Sequence, residues 1–167
     1  MGDKVYNVLF LCPHDAARGL MAEAILNRVG QGRFNAYSAG SFPSSELHDE
    51  TVRMLEKLNY DVSHLYSKAW DEFAVPDAPE MDFVFTMCDA DAGEPCPVWP
   101  GQPMTAYWSV PSPTAIEEDG AEGGLALAEI YRELNNRIRL LVNLRVDALD
   151  RMALQHELDT IGSPYIT

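Results

Sequence analysis

Cys12 and Arg18, separated by Pro13-His14-Asp15-Ala16-Ala17, are the residues whose types and spacing can do chemistry. A loop of that length can curl around a tetrahedral oxyanion. It presents successive backbone N–H groups and the positive end of a following helix, while the guanidinium grips two oxygens. The same field lowers the pKa of the thiol, so a cysteine held beside arginine at a helix N-terminus can be substantially thiolate at neutral pH, and the thiolate is the nucleophile. The bare spacing is a weak pattern, since a buried structural cysteine and a surface arginine also satisfy it. What strengthens it is the company it keeps in the chain.

The elements that must position these groups are legible on either side. Apolar residues from Val5 to Leu11 suit a parallel strand covered on both faces, and Ala17 to Leu26 carries helical periodicity. Cys12 therefore falls at the carboxyl end of a strand, where open α/β sheets place their ligand sites. Gly30-Gln31-Gly32 stops the helix, and Phe34 to Gly40 reads as a second strand. A helix follows over Leu47 to Leu58 with Val52, Leu55 and Leu58 on one face, then a mixed stretch with Leu65, Trp70 and Phe73 as anchors of a short helix. Met81 to Cys88 is the third strand, and Met104 to Trp108 the fourth.

Leu125, Leu127, Ile130, Leu134, Ile138, Leu141 and Leu144 trace a long amphipathic helix. A last helical segment runs from about Asp147 to Ile161, whose Leu149, Met152, Ala153 and Leu158 can either dock on the body or make a partner surface, docking being the commoner case. Alternating strands and helices with connections long enough to cross over predict an α/β fold: a three-layer sandwich with one four-stranded parallel sheet flanked by helices. The expected organisation is a single domain over residues 1–167 with a C-terminal helical extension at about 147–161.

A net charge of −14 argues against a nucleic-acid backbone or an anionic membrane as partner, because both need a positive field. Any oxyanion must then be captured by local dipoles and Arg18. Met1-Gly2-Asp3-Lys4 leads directly into the first strand, without the look of a signal peptide, so the expected compartment is the reducing cytoplasm. The three cysteines, Cys12, Cys88 and Cys96, are too few for a disulfide scaffold and point to reactive or metal-binding thiols. Zinc is excluded by spacing: there is no CxxC pair, and His14, His48, His64 and His156 are scattered.

With these residues in view, the chain resembles the low-molecular-weight protein tyrosine phosphatases, and within them the thiol-dependent, thioredoxin-coupled arsenate reductases. The resemblance rests on the strand-cysteine-loop-arginine opening, on Met21-Ala22-Glu23-Ala24, on Ser38-Ala39-Gly40, and on Cys88-Asp89 with Cys96-Pro97-Val98-Trp99-Pro100-Gly101. It implies a relay in which Cys12 attacks arsenate held by residues Pro13 to Arg18, Cys88 attacks Cys12, and Cys96 carries the oxidation to a thioredoxin-like reductant. No organic cofactor is implied.

The chain departs from the family's pattern at chemically sensitive positions. Asp15 and Ala16 stand where asparagine and serine are usual, and Gly19 where a serine donates to the thiolate. A carboxylate ~5 Å from the thiolate, at an effective dielectric of ~20, opposes its ionisation by on the order of 3 kcal/mol. A monovalent cation shared by Asp15 and Glu23 would relieve that charge, and related reductases bind such an ion nearby. Ser112-Pro113 replaces the Asp-Pro pair of the phosphatases, whose aspartate is the general acid. Loss of such a group removes ~10²–10⁴-fold of rate, which weighs against efficient phosphatase activity. Two alternatives to the reductase follow: a catalytically impaired protein that binds an oxyanion, arsenite or a partner, and a phosphotyrosine phosphatase acting on phosphate esters.

Overall fold

The computed structural model of the chain describes residues 5–12, 18–40, 49–63, 65, 68–73, 75–87, 104–108 and 121–162. Among the described residues, four strands form one parallel sheet: β1 Tyr6–Cys12, β2 Phe34–Gly40, β3 Phe83–Thr86 and β4 Met104–Tyr107. Their order is β2-β1-β3-β4. The helices are α1 Arg18–Val29, α2 Asp49–Lys57, α3 Ala121–Val142 and α4 Arg151–Ile161, and a 3-10 turn covers Trp70–Phe73. The expected four-stranded parallel α/β architecture is the one observed.

Burial explains the strand order. β1 and β3 are the inner strands, and their residues from Val8 to Cys12 and from Phe83 to Phe85 are all buried, as a sheet covered on both faces requires. The outer strand β4 alternates, with Met104 and Ala106 buried and Thr105 and Tyr107 exposed. Val8, Phe10, Cys12, Phe83 and Phe85 face one side, where Leu20, Met21, Ile25 and Leu26 of α1, Leu55 of α2, Leu134 and Ile138 of α3 and Leu158 of α4 complete the larger core. Leu9, Leu11, Ala39 and Val84 face the other, where Tyr37, Trp70 and Phe73 pack in a smaller layer.

Local chemistry sets the boundaries. Gly30 closes α1 by donating to the Leu26 carbonyl at 2.8 Å, and Gly32 takes a left-handed φ of 87° in the turn into β2, a conformation that side chains disfavour. α4 starts at Arg151, later than the sequence pattern predicts, because Asp150 caps it: its Oδ1 accepts the N–H of Ala153 at 2.8 Å. The docking stripe of α4 is Leu154, Leu158 and Ile161, spaced by four and three. Met152 lies off that stripe and is 83% exposed, a correction to the sequence reading. The indole N–H of Trp108 donates to the Leu158 carbonyl at 3.2 Å, fastening α4 beside β4. β3 is shorter than expected, running from Phe83 to Thr86 within the predicted Met81 to Cys88.

Candidate functional site

The carboxyl ends of β1 and β2 and the first turns of α1 meet at one place. Cys12 is the last residue of β1, paired in register with Gly40, the last of β2. Its side chain is fully buried, with Sγ 3.9 Å from the carbonyl oxygen of Ala39, and its thiol is in no disulfide. Arg18 is the first residue of α1 and only 3% exposed. Both therefore occupy the positions that the sequence predicts: a sulfur where a strand ends and a guanidinium where a helix begins. Such a helix start carries unsatisfied N–H groups and the positive end of the helix dipole.

An aromatic group shares the larger core with the cysteine. The rings of Phe85 and Trp108 stack with centroids 4.2 Å apart and planes 9° from parallel, and Phe10 packs on both at 5.8 and 6.2 Å. The inner strand β3 runs beside β1, with Leu11 opposite Thr86, and the N–H of Met87 donates to the Leu11 carbonyl at 2.8 Å. The chain thus leaves the sheet at Met87 alongside Cys12, with Cys88 the next residue in the sequence.

Glu23 lies on α1, also buried, and its Oε1 accepts from the hydroxyl of Ser38 at 2.6 Å and meets the ammonium of Lys68 at 3.3 Å. Ser38 lies opposite Phe10 in the β1–β2 register. Lys68 was not among the residues singled out from the sequence, where a lone lysine in a mixed stretch reads as solvated. Its carbonyl accepts the N–H of Gly40 at 2.8 Å, and Ala69 bridges Gly40 in parallel.

Pro13, His14, Asp15, Ala16, Ala17, Cys88, Cys96 and Ser112 lie outside the described residues. Among the described residues, no three of His, Cys, Asp and Glu converge in a way that could hold a metal ion, and no helix is long and apolar enough to cross a membrane.

Comparisons with known proteins agree with this layout. The glutaredoxin arsenate reductase of Synechocystis is 28% identical over 132 residues, covering 79% of this chain and 89% of that protein. Among solved structures, an arsenate reductase from Archaeoglobus fulgidus superposes with a TM-score of 0.68 at 25% identity, over 82% of this chain and 99% of that one. A thioredoxin-dependent arsenate reductase of Corynebacterium glutamicum gives a TM-score of 0.59 at 28% identity, over 84% of this chain and 62% of that one. The family model for low molecular weight phosphotyrosine protein phosphatases matches residues 7–153. The cysteine closing an inner parallel strand, the arginine opening the next helix and this match over most of the length lead to one conclusion: the chain belongs to the low molecular weight phosphotyrosine protein phosphatase family of enzymes.

Proposed function

We propose that this protein is an arsenate reductase that works through three cysteines, within a single domain and in a reducing cytoplasm. The thiolate of Cys12 attacks arsenic(V) of an arsenate held by the backbone of residues 13–17 and the guanidinium of Arg18, and a hydroxide or water departs. Cys88 then attacks the sulfur of Cys12. The electron pair of the breaking S–As bond stays on arsenic, which leaves as arsenite, and a Cys12–Cys88 disulfide remains. Cys96 attacks the sulfur of Cys88, restoring the Cys12 thiolate and moving the disulfide to Cys88–Cys96. A thioredoxin-like dithiol takes over that oxidation.

The observation that supports this reading is the register of β1 against β3. It makes Cys12 and Met87 neighbours, and Cys88 is the residue that follows Met87 in the sequence. All three cysteines of the chain then have a use. The arsenate reductases among the relatives lend weight to the same substrate.

Arsenate-dependent oxidation of thioredoxin tests it. Cys12→Ser, Cys88→Ser and Cys96→Ser are each expected to abolish turnover. Hydrolysis of an aryl phosphate that survives Cys88→Ser but not Cys12→Ser would make the protein a phosphatase instead. Saturable anion or arsenite binding without turnover would make it a binding protein.

A further inference from the structure

The ion pair of Glu23 and Lys68 is a buried feature that the relay does not use. Nζ and Oε1 are 3.3 Å apart, and the two side chains are 9% and 6% exposed. A buried pair of this kind gives little net stability over apolar residues of similar shape, because desolvation of two ions offsets their attraction. Its placement suggests a different role. Glu23 stands on the helix that Arg18 opens. The main chain of Lys68 holds Gly40, the register partner of Cys12. Ser38, on the same strand as Gly40, donates to the same carboxylate oxygen. The pair therefore ties α1 to the end of β2, joining the two supports of Cys12 and Arg18.

A carboxylate at this depth requires a positive charge close by. The sequence reading places a monovalent cation between Glu23 and Asp15, there to relieve the charge of Asp15. In the fold the ammonium of Lys68 already meets Glu23, and an inorganic cation added at that carboxylate would be repelled by it. The residues present do not fit a cation held by Glu23.

We propose that Lys68 is a positioning residue whose ammonium is the resident cation of Glu23. It braces α1 against β2 so that Cys12 and Arg18 keep the separation an oxyanion needs, and it makes the protein indifferent to potassium and sodium. What the brace serves rests on the reductase reading; the brace itself does not, and its tests require no arsenate.

The first test is thermal melting of the whole chain in KCl, NaCl and choline chloride at matched ionic strength. The wild type is expected to melt at one temperature in all three. Lys68→Ala is expected to melt roughly 10 °C lower in choline chloride, as breaking one side of a buried pair implies for a chain of this size, and to regain most of that in KCl or NaCl. A wild type stabilised by potassium over choline overturns the proposal, as does a Lys68→Ala that melts like the wild type or that no salt restores.

The second test keeps the proposal open to failure if Lys68→Ala does not fold. It pairs Lys68→Met with Glu23→Gln, a neutral replacement of similar shape that should melt within a few degrees of the wild type. Alkylation of Cys12, followed by the mass of its peptide, is expected to show a pH midpoint raised by about one unit. An unchanged midpoint makes the pair structural only and overturns the positioning role. If the melting and alkylation results hold while the wild type fails to reduce arsenate, the brace stands and the reductase reading falls.

Discussion

At the scale of single residues, the candidate site depends on groups held in place by charge-assisted contacts. The hydroxyl of Ser38 is fully buried and donates to Glu23 at 2.6 Å, a short bond to a carboxylate that shares its oxygen with an ammonium. Ser38→Ala removes that donor and leaves the carboxylate less satisfied. A hydrogen bond to a charged group is worth about 1.5–3 kcal/mol, so the melting temperature should fall by roughly 3–10 °C. Thermal denaturation checks this, and a variant melting within a degree of the wild type would show that the bond contributes nothing.

Cys12 and Arg18 were legible from the sequence because the apolar run before one and the periodicity after the other both point to the same seam. Lys68 was not. Its partner lies on α1, far away in sequence, and only the pairing of Gly40 with the backbone of residues 68 and 69 brings the two together. No local pattern encodes that contact.

At the scale of elements, the strands and helices followed the hydrophobic pattern, and the deviations have local causes. A capping aspartate moved the start of α4, and the helix rotated Met152 away from the sheet because its buried stripe follows Leu154, Leu158 and Ile161. The sequence reading grouped Met152 with Leu149, but Leu149 packs against the larger core while Met152 faces away from it.

The seat of α4 also depends on a glycine. At Gly162 a Cβ would lie 2.5 Å from the Tyr107 carbonyl oxygen and press on the indole of Trp108. Neither neighbour can yield easily, because Trp108 is stacked on Phe85 and its backbone N–H donates to Thr86 at 2.8 Å. The φ of Gly162 is −77°, so crowding and not backbone strain is the obstacle. Overpacking of this kind costs about 1–3 kcal/mol, and Gly162→Ala should lower the melting temperature by roughly 2–10 °C. An unchanged melting temperature would mean that α4 shifts on the sheet without cost.

At the scale of the whole molecule, the segment that follows α2 packs on α3 through a titratable contact. The hydroxyls of Tyr60 and Tyr131 are 2.7 Å apart, with the guanidinium of Arg28 3.4 Å above the Tyr60 ring. Burial, then the hydroxyl of Tyr60, raises the pKa of Tyr131 above its ordinary value of 10.0. In the unfolded chain Tyr131 loses its proton near pH 10.0, while in the folded chain it keeps it to higher pH. The unfolded state then binds fewer protons, so stability is intact below that pH and declines as pH rises above it. Urea midpoints should fall above about pH 10, less steeply in Tyr131→Phe than in the wild type. Parallel profiles for the two proteins would show that the phenol is not responsible. Arg137 on α3 is likewise affected by burial, which lowers its pKa, while Glu133 at 2.7 Å works in the other direction.

The placement of β1 between β2 and β3 has a consequence for how the molecule is made. During synthesis the first strand can find β2 early, but its other neighbour arrives only with Phe83–Thr86, and Trp108 and α4 follow later still. The sulfur at the tip of β1 therefore emerges from the ribosome long before the sheet that will enclose it is complete. While the nascent chain grows, that thiol must be kept from oxidation by its surroundings and not by the fold.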